Sequence, residues 1–262
     1  MILILSQSCE RAFGFRAECE SVSIGTDLDK SGLGTNYHWM YEDTQMAVVT
    51  IERKVLEKND RIAEQNRNLF LRNRVFVINV VSSPGAGKTS ILERTLEYLK
   101  GSIKIGVIEG DVQTDLDAQR VAKYNVPTVQ IVTNGGCHLE ANLIHDALSN
   151  FNLSDIRLLM IENVGNLVCP SNYDLGEALK VVVASTTEGD DKPLKYPAMF
   201  RNASVLLINK IDLLPYINCD LNTLKANALK INPALVVFLT SCTTGAGIGE
   251  WAEWLSDRTT NS

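Results

Sequence analysis

The chain has 262 residues, of which 45% are hydrophobic and 21% charged, and a formal net charge of −6. This composition is ordinary for a globular protein, and the length suffices for one large core or one domain with an appendage. The acidic balance argues against nucleic acids and membrane surfaces as partners, and no apolar run approaches the roughly 18 residues of a membrane-spanning helix.

The N-terminal segment is predicted to be a weakly ordered arm. Residues 1–43 are rich in Gly, Ser and Thr, without a clear hydrophobic period. The apolar residues 1–5 are too few for a secretory signal and lack a basic flank, so we expect a cytoplasmic protein. The six cysteines form no secreted disulfide framework, and Cys9 and Cys19 in the arm have no recognised ligand spacing.

Residues 44–258 are predicted to form one domain that begins with a helix. From Thr44 to Leu71 apolar residues recur at helical intervals. Short runs of Val, Ile and Leu then alternate with helical segments, which is typical of parallel strands buried on both faces. The pattern predicts an α/β fold: a doubly wound, mostly parallel seven-stranded sheet with helices on both faces. Strands are expected near residues 75–81, 103–109, 127–132, 157–162, 179–185, 204–209 and 235–240.

A glycine-rich turn between the first strand and a helical segment has the context of a P-loop. The backbone N–H groups of such a turn, and the helix N-terminus behind it, bind phosphates. Lys88 is expected to reach the β- and γ-phosphates as a catalytic residue, and Thr89 to hold Mg²⁺. Ser82 stands where the pattern has its first glycine, which costs little if its φ stays negative. The predicted nucleotide-binding residues here are Gly85, Ala86, Gly87, Lys88, Thr89 and Ser90.

Two further loops indicate that the nucleotide is GTP or GDP. Asn209, Lys210 and Asp212 form an N-K-x-D pattern after an apolar strand. The Asp212 carboxylate is suited to accept from N1–H and N2–H₂ of guanine, a donor pair that adenine lacks, and such a site rejects the wrong base by roughly 10⁴-fold. Ser241 and Cys242 follow the last strand and resemble the loop that meets guanine O6, with Cys242 in the place of the usual Ala.

Acidic residues at two strand ends are expected to lie near the phosphates. Glu162 begins a sequence that resembles the D-x-x-G strand-end motif, with Glu in place of Asp. We predict that Asp111 and Glu162 act in catalysis and hold Mg²⁺ together with Thr89. Asp115 is a further candidate to orient the metal or the attacking water, but its sequence context equally favours a helix N-cap.

Two cysteines and a histidine form a candidate transition-metal site. Cys137 and His138 are expected at the start of a helix, and Cys169 lies just past the acidic strand end. Two thiolates and one imidazole suit Ni²⁺ or Zn²⁺. Buried cysteines and capping histidines are also common as structural features, so that alternative stays open. His145 follows on the same predicted helix face, where it either binds the metal or only packs. His38 has no motif around it.

Taken in order, the motifs resemble the HypB family, the hydrogenase nickel-incorporation GTPases of the SIMIBI P-loop class. The resemblance covers about Thr44 to Leu255, and the runs 162–170 and 187–197 are the most specific to it. The motifs that carry it are Ser-Pro-Gly-Ala-Gly-Lys-Thr, Glu-Gly-Asp-Val-Gln-Thr-Asp, Gly-Cys-His-Leu-Glu-Ala, Ile-Glu-Asn-Val-Gly-Asn-Leu-Val-Cys-Pro, Thr-Glu-Gly-Asp-Asp-Lys-Pro-Leu-Lys-Tyr-Pro and Asn-Lys-Ile-Asp-Leu.

The resemblance implies a GTP-hydrolysing homodimer that helps to insert nickel into the precursor of the [NiFe]-hydrogenase large subunit. It also implies a nickel-binding accessory protein of the HypA type as a partner. A Ni/Zn site at the dimer interface would be made from Cys137, His138 and Cys169. Many relatives carry an N-terminal cysteine cluster or a histidine-rich nickel store, but here the first 37 residues contain no histidine. We assign no role to Asp191 and Lys192.

Other functions are compatible with parts of the pattern. The urease-type nickel accessory GTPase uses Cys-Pro-His, whereas Ser171 follows Cys169 and Pro170 in this chain. A GTP-switch binding module with structural cysteines would be distinguished by metal titration. A P-loop small-molecule kinase is disfavoured by the N-K-x-D pattern.

Overall fold

The computed structural model describes residues 51–112 and 120–260, which belong to one compact unit, Val49–Ser262. The predicted arm 1–43 with Cys9 and Cys19, the first part of the predicted N-terminal helix, His38 and Asp115 lie outside the described residues. Within the described ranges, no helix has both the length and the apolar character to cross a membrane.

A seven-stranded parallel sheet forms the centre of the fold, in the order β3-β2-β4-β1-β5-β6-β7. The strands are β1 (Phe76–Ser82), β2 (Ile105–Asp111), β3 (Thr128–Val132), β4 (Leu158–Glu162), β5 (Leu179–Ser185), β6 (Val205–Asn209) and β7 (Val236–Leu239). Each lies within two residues of its predicted position, and the predicted seven-stranded sheet is confirmed.

Helices cover both faces of this sheet, as predicted. They are α1 (Ile51–Asn73), α2 (Lys88–Leu99), α3 (Ala141–Ala147), α4 (Lys192–Lys195), α5 (Pro197–Arg201), α6 (Leu221–Ile231) and α7 (Ile248–Thr260). Short 3₁₀ segments occupy Leu148–Asn150, Leu153–Asp155, Cys169–Ser171, Thr186–Glu188 and Ile211–Tyr216.

The alternation of side chains along each strand divides the core between the two faces. On one face Ile78 and Val80 of β1 pack in a cluster with α2 and α7. On the opposite face Val77 packs with α1 and α3, and Val81 packs with α5 and α6. Removal of these apolar faces from water, at about 25 cal/mol per Å², is the main term that holds the helices on the sheet.

The strand order places the candidate residues at one edge of the sheet. All seven strands run in the same direction, so their carboxyl ends meet there. The chain passes from β4 on one side of β1 to β5 on its other side, which opens a crevice at the end of β1. Val80 of β1 and Glu109 of β2 are both in register with Glu162 of β4.

Helix α1 is fastened to the neighbouring elements by buried asparagine side chains. Asn66 Nδ2 donates to the carbonyl oxygens of Ala141, 2.8 Å away, and of Leu175, 3.2 Å away. Asn59 Oδ1 accepts a hydrogen bond from the Ala141 N–H. The Nδ1 atom of His145, in helix α3, lies 2.8 Å from Asn66 Oδ1, so this histidine packs against helix α1.

We expect Asn66→Ala to destabilise the fold by about 1–3 kcal/mol, because it removes the hydrogen bonds of one buried side chain to two carbonyls and to the ring of His145. The free energy of unfolding measured in denaturant tests this. Asn68→Ala on the exposed side of the same helix is the control and should change stability by less than about 0.5 kcal/mol. If the two changes lowered the free energy of unfolding equally, the role of Asn66 in fastening α1 would be contradicted.

Candidate nucleotide and metal sites

The glycine-rich turn has the backbone that a phosphate loop requires. Ser82 ends β1 and is not among the residues with positive φ, which satisfies the condition for a serine at this position. Gly85 and Gly87 have φ values of 77° and 101°, in the left-handed region that favours glycine. A Cβ added to Gly87 would lie 2.5 Å from Asn209 Nδ2. The next residue, Lys88, begins α2.

A cleft of about 410 Å³ opens above this turn, lined also by Asp111, Arg120, Glu162 and Gly165. Lys88 Nζ donates to Ser82 Oγ at 3.1 Å and is almost fully buried. Thr89 Oγ1 donates to Glu162 Oε1 at 2.8 Å. The structure therefore brings together the four residues that the sequence assigns to phosphate and Mg²⁺ chemistry, namely Lys88, Thr89, Asp111 and Glu162.

The N-K-x-D segment contacts the glycine-rich turn directly. Asn209 Nδ2 donates to the Ala86 carbonyl at 3.0 Å, and Lys210 Nζ donates to the Gly85 carbonyl at 2.7 Å. Lys210 itself has a left-handed backbone with φ 63°, which turns the chain sharply after β6. The two motifs are thus joined directly by hydrogen bonds.

Asp212 and the loop after β7 form the other end of the candidate nucleotide site. Ser241 Oγ donates to Asp212 Oδ1 at 2.5 Å and accepts from the Thr244 N–H. Cys242 Sγ lies 3.6 Å from Asn209 Oδ1, to which it donates. Burial raises the pKa of the Cys242 thiol to about 11, so it is a neutral donor at physiological pH. The predicted guanine-binding residues therefore form one connected group.

Cys137, His138 and Cys169 come together in space at the same edge of the sheet. Their potential ligand atoms all lie within 4.8 Å of one another. Cys137 is exposed, whereas His138 and Cys169 are half-buried. Cys169 opens a 3₁₀ turn after β4. His145, the fourth candidate, does not join this cluster within the described part of the chain.

The predicted location of Cys137 and His138 at the start of a helix is corrected by the structure. Helix α3 begins only at Ala141, with Glu140 in an extended backbone conformation as its N-cap. The two ligand candidates lie in the loop before the helix. The Leu139 N–H donates to the side chain of Asn163, which holds this loop at the end of β4.

The electrostatics of the cluster favour neutral groups in the absence of a cation. A hydrogen bond with Cys169, and secondarily burial, raise the pKa of the Cys137 thiol. Burial lowers the pKa of His138, against the opposing influence of Glu140. The ring of Tyr173 packs on His138 with 3.9 Å between the ring centroids. A neutral imidazole and two thiols that can ionise suit a soft divalent cation.

The segment 187–197 contains a residue that the sequence did not single out. Glu188 accepts a hydrogen bond from Ser83 Oγ of the glycine-rich turn and lies 2.9 Å from Lys192 Nζ. Lys192 also lies over the ring of Tyr196. The local signal for Glu188 was the Ser185–Glu188 capping box, in which serine and glutamate close the turn reciprocally.

Comparison with known proteins identifies the family of the chain. The model of the CobW/HypB/UreG nucleotide-binding domain matches residues 76–238. The hydrogenase maturation factor HypB of Escherichia coli strain K12 is 50% identical over 212 residues, which cover 81% of this chain and 73% of that protein.

The chain belongs to the HypB family. Two solved HypB structures resemble it closely. That of Helicobacter pylori HypB in complex with nickel has a TM-score of 0.74 and 38% identity, covering 78% of this chain and 96% of that one. That of Archaeoglobus fulgidus HypB has a TM-score of 0.73 and 39% identity, covering 78% and 99%.

The two glycines of this HypB-family P-loop should differ in their tolerance of a side chain. Both have positive φ, so alanine strains either position, but only at Gly87 does the new Cβ meet Asn209. We expect Gly87→Ala to lower the melting temperature of the nucleotide-free protein more than Gly85→Ala does. Thermal unfolding followed by circular dichroism measures this, and equal melting temperatures would count against the close contact.

Proposed function

We propose that this chain is a GTPase that binds nickel and helps to insert it into the precursor of the [NiFe]-hydrogenase large subunit. The observation that carries the proposal is the continuity of the segment 162–169. It begins at Glu162 in the nucleotide cleft and ends at Cys169 in the cysteine–histidine cluster. The solved structure of Helicobacter pylori HypB, which is 38% identical to this chain, is a complex with nickel and supports the choice of this metal.

The specificity for guanine would come from Asp212. Its carboxylate already accepts from Ser241 Oγ, which orients it, and its remaining lone pairs are suited to the N1–H and N2–H₂ donors of guanine. Adenine offers no such pair and would leave a desolvated carboxylate without compensation.

For the phosphates, the chain would supply charge and donors from fixed positions. Lys88 would exchange its contact with Ser82 for the β- and γ-phosphate oxygens. Thr89 and Glu162, in contact at 2.8 Å, and Asp111 at the same cleft provide oxygen ligands that fit Mg²⁺. When bound, Mg²⁺ neutralises charge on the transferring phosphoryl group. Glu162 and Asp111 would also orient the attacking water.

Nickel would be cargo in a site shared by two copies of the chain. One chain supplies three ligands, and Cys137 is exposed at the surface. Val168, beside Cys169, is 60% exposed although apolar, and so offers contact area for a partner. Pairing about a two-fold axis would bring up to four thiolates and two imidazoles together, enough for planar Ni²⁺ or tetrahedral Zn²⁺. A cytoplasmic homodimer of this kind would exchange nickel with an accessory protein of the HypA type.

Two residues, Ser171 and Cys137, argue against the alternative functions. At the position where the urease-type GTPase has its histidine, Ser171 is buried and its hydroxyl donates to the Val168 carbonyl at 2.7 Å. A structural role for Cys137, as in a GTP-switch module, is disfavoured by its exposure, because structural cysteines are usually buried.

We expect Asp212→Asn to weaken GTP binding by roughly 10²- to 10⁴-fold and to favour xanthosine triphosphate, whose C2 carbonyl matches the new amide donor. Nucleotide titration by calorimetry measures both affinities. Asp220→Asn is the control, since asparagine replaces aspartate as N-cap of α6 at little cost. Unchanged GTP affinity in Asp212→Asn would refute the assignment of the base.

We expect Cys137→Ala and Cys169→Ala each to remove most nickel binding while GTP binding remains, because each takes one thiolate from the shared site. Ni²⁺ titration against a chelating indicator measures the affinity, and a shared site saturates at one ion for two chains. Since the thiolates must lose protons and the pKa of Cys137 is raised, affinity should fall as the pH is lowered.

The control for this experiment is Cys219→Ala, which changes a half-buried cysteine outside the cluster. It should bind nickel as the native chain does. If Cys137→Ala and Cys169→Ala bound nickel as tightly as the native chain does, the proposed metal site would be wrong and these cysteines would have a structural role only.

A further inference from the structure

A buried lysine holds the loop that carries Cys169. Lys180, on strand β5 next to the central strand β1, is only 8% exposed. Its ammonium donates to three backbone carbonyls of that loop, those of Pro170 at 3.2 Å, Ser171 at 3.4 Å and Tyr173 at 3.0 Å. We call residues 164–174 the Cys-Pro loop. Three charge-assisted hydrogen bonds to one short loop restrict its backbone strongly.

The lysine is one end of a chain of buried polar side chains. Its charge partner Glu177 lies 3.7 Å away and accepts from Asn79 Nδ2 at 3.1 Å. Asn79 Oδ1 in turn accepts from Asn163 Nδ2 at 3.2 Å. Asn79 and Asn163 are almost wholly inaccessible to solvent. We call Lys180, Glu177, Asn79 and Asn163 the polar chain.

The other end of the polar chain holds the second ligand loop. Asn163 Oδ1 accepts from the Leu139 N–H at 3.1 Å, directly after His138. We call residues 133–140 the Cys-His loop. The two loops also touch each other, because the ring of Tyr173 packs on His138. Both ligand loops are thus tied to strands at the centre of the sheet.

A gain in folding stability does not by itself explain why the polar chain is buried. Burying a carboxylate and an ammonium costs several kcal/mol per ion, and an apolar pair of similar volume is often at least as stable. Burial raises the pKa of Glu177, which the nearby Lys180 partly offsets. A fully connected polar network does, however, fix one geometry, because any displacement leaves a buried group unsatisfied.

We propose that the polar chain positions the nickel ligands, with Lys180 fixing the Cys-Pro loop and Asn163 fixing the Cys-His loop. The inference rests on the proposed nickel site and adds residues that touch no ligand atom. Because Asn163 follows Glu162, the same chain connects the Cys-His loop to the strand end at the nucleotide cleft. Partners behind metal ligands of this kind typically contribute about 10- to 100-fold to metal affinity.

The test is Lys180→Met, which keeps the aliphatic stem and removes all three donors. We expect nickel affinity to fall by about 10- to 100-fold and the thiolate-to-nickel charge-transfer absorption to change in shape. Affinity for GDP should stay within about twofold, since the ammonium does not reach the nucleotide cleft. Ni²⁺ competition titrations, absorption spectra and calorimetry with GDP provide the three readouts.

In Lys180→Met the buried carboxylate of Glu177 loses its charge partner, which destabilises the fold. A second variant avoids this effect. Glu177→Gln combined with Lys180→Met removes both charges and should show the same loss of nickel affinity. Leu255→Ala, in the core on the opposite face of the sheet, is the control for general destabilisation. Lys104→Met breaks an exposed ion pair at the same 3.7 Å and should have no effect on nickel.

Native nickel affinity and a native spectrum in either Lys180 variant that folds would overturn the proposal. So would an equal loss of nickel affinity in Leu255→Ala, because the effect would then follow stability alone. Cys169→Ala separates this result from failure of the nickel site itself. If that variant loses nickel while the Lys180 variants retain it, the site stands and only the positioning role is wrong.

Discussion

The parallel pairing of β1 with β4 on one side and β5 on the other is the constraint on which both sites depend. It brings the carboxyl ends of the central strands to one edge, so that the glycine-rich turn after β1 lies beside Glu162 at the end of β4. The contact between Thr89 and Glu162 follows from that register. The loop after β4 then continues to Cys169 of the cysteine–histidine cluster.

Under the proposed function, this arrangement would give a physical route between the nucleotide and the metal. The segment from Glu162 to Cys169 has one end in the cleft and one end in the cluster, so a change in its conformation affects both. If nucleotide binding alters metal affinity through it, metal binding must alter nucleotide affinity by the same factor. The polar chain bears on the size of that coupling, since a network with one satisfied arrangement resists gradual deformation.

The features predicted from the sequence are those encoded by neighbouring residues. Runs of Val, Ile and Leu located all seven strands, and the pattern Gly85 to Thr89 identified the phosphate loop. The start of α3 was misplaced, because the residues before Ala141 form a loop that is held by a contact between the Leu139 N–H and Asn163, 24 residues away. The polar chain escaped prediction for the same reason: Asn79 and Glu177 are 98 residues apart. No local period signals a hydrogen bond between such distant residues.

Three hydrogen bonds from neighbouring segments hold the glycine-rich turn. Asn209 and Lys210 donate to its carbonyls, and Glu188 accepts from Ser83 at its start. These bonds restrict the backbone of the turn, whose ordering otherwise costs about 1–2 kcal/mol per residue. Glu188 also joins the turn to Lys192 in segment 187–197, so we expect a change in either residue to disturb the backbone of the turn.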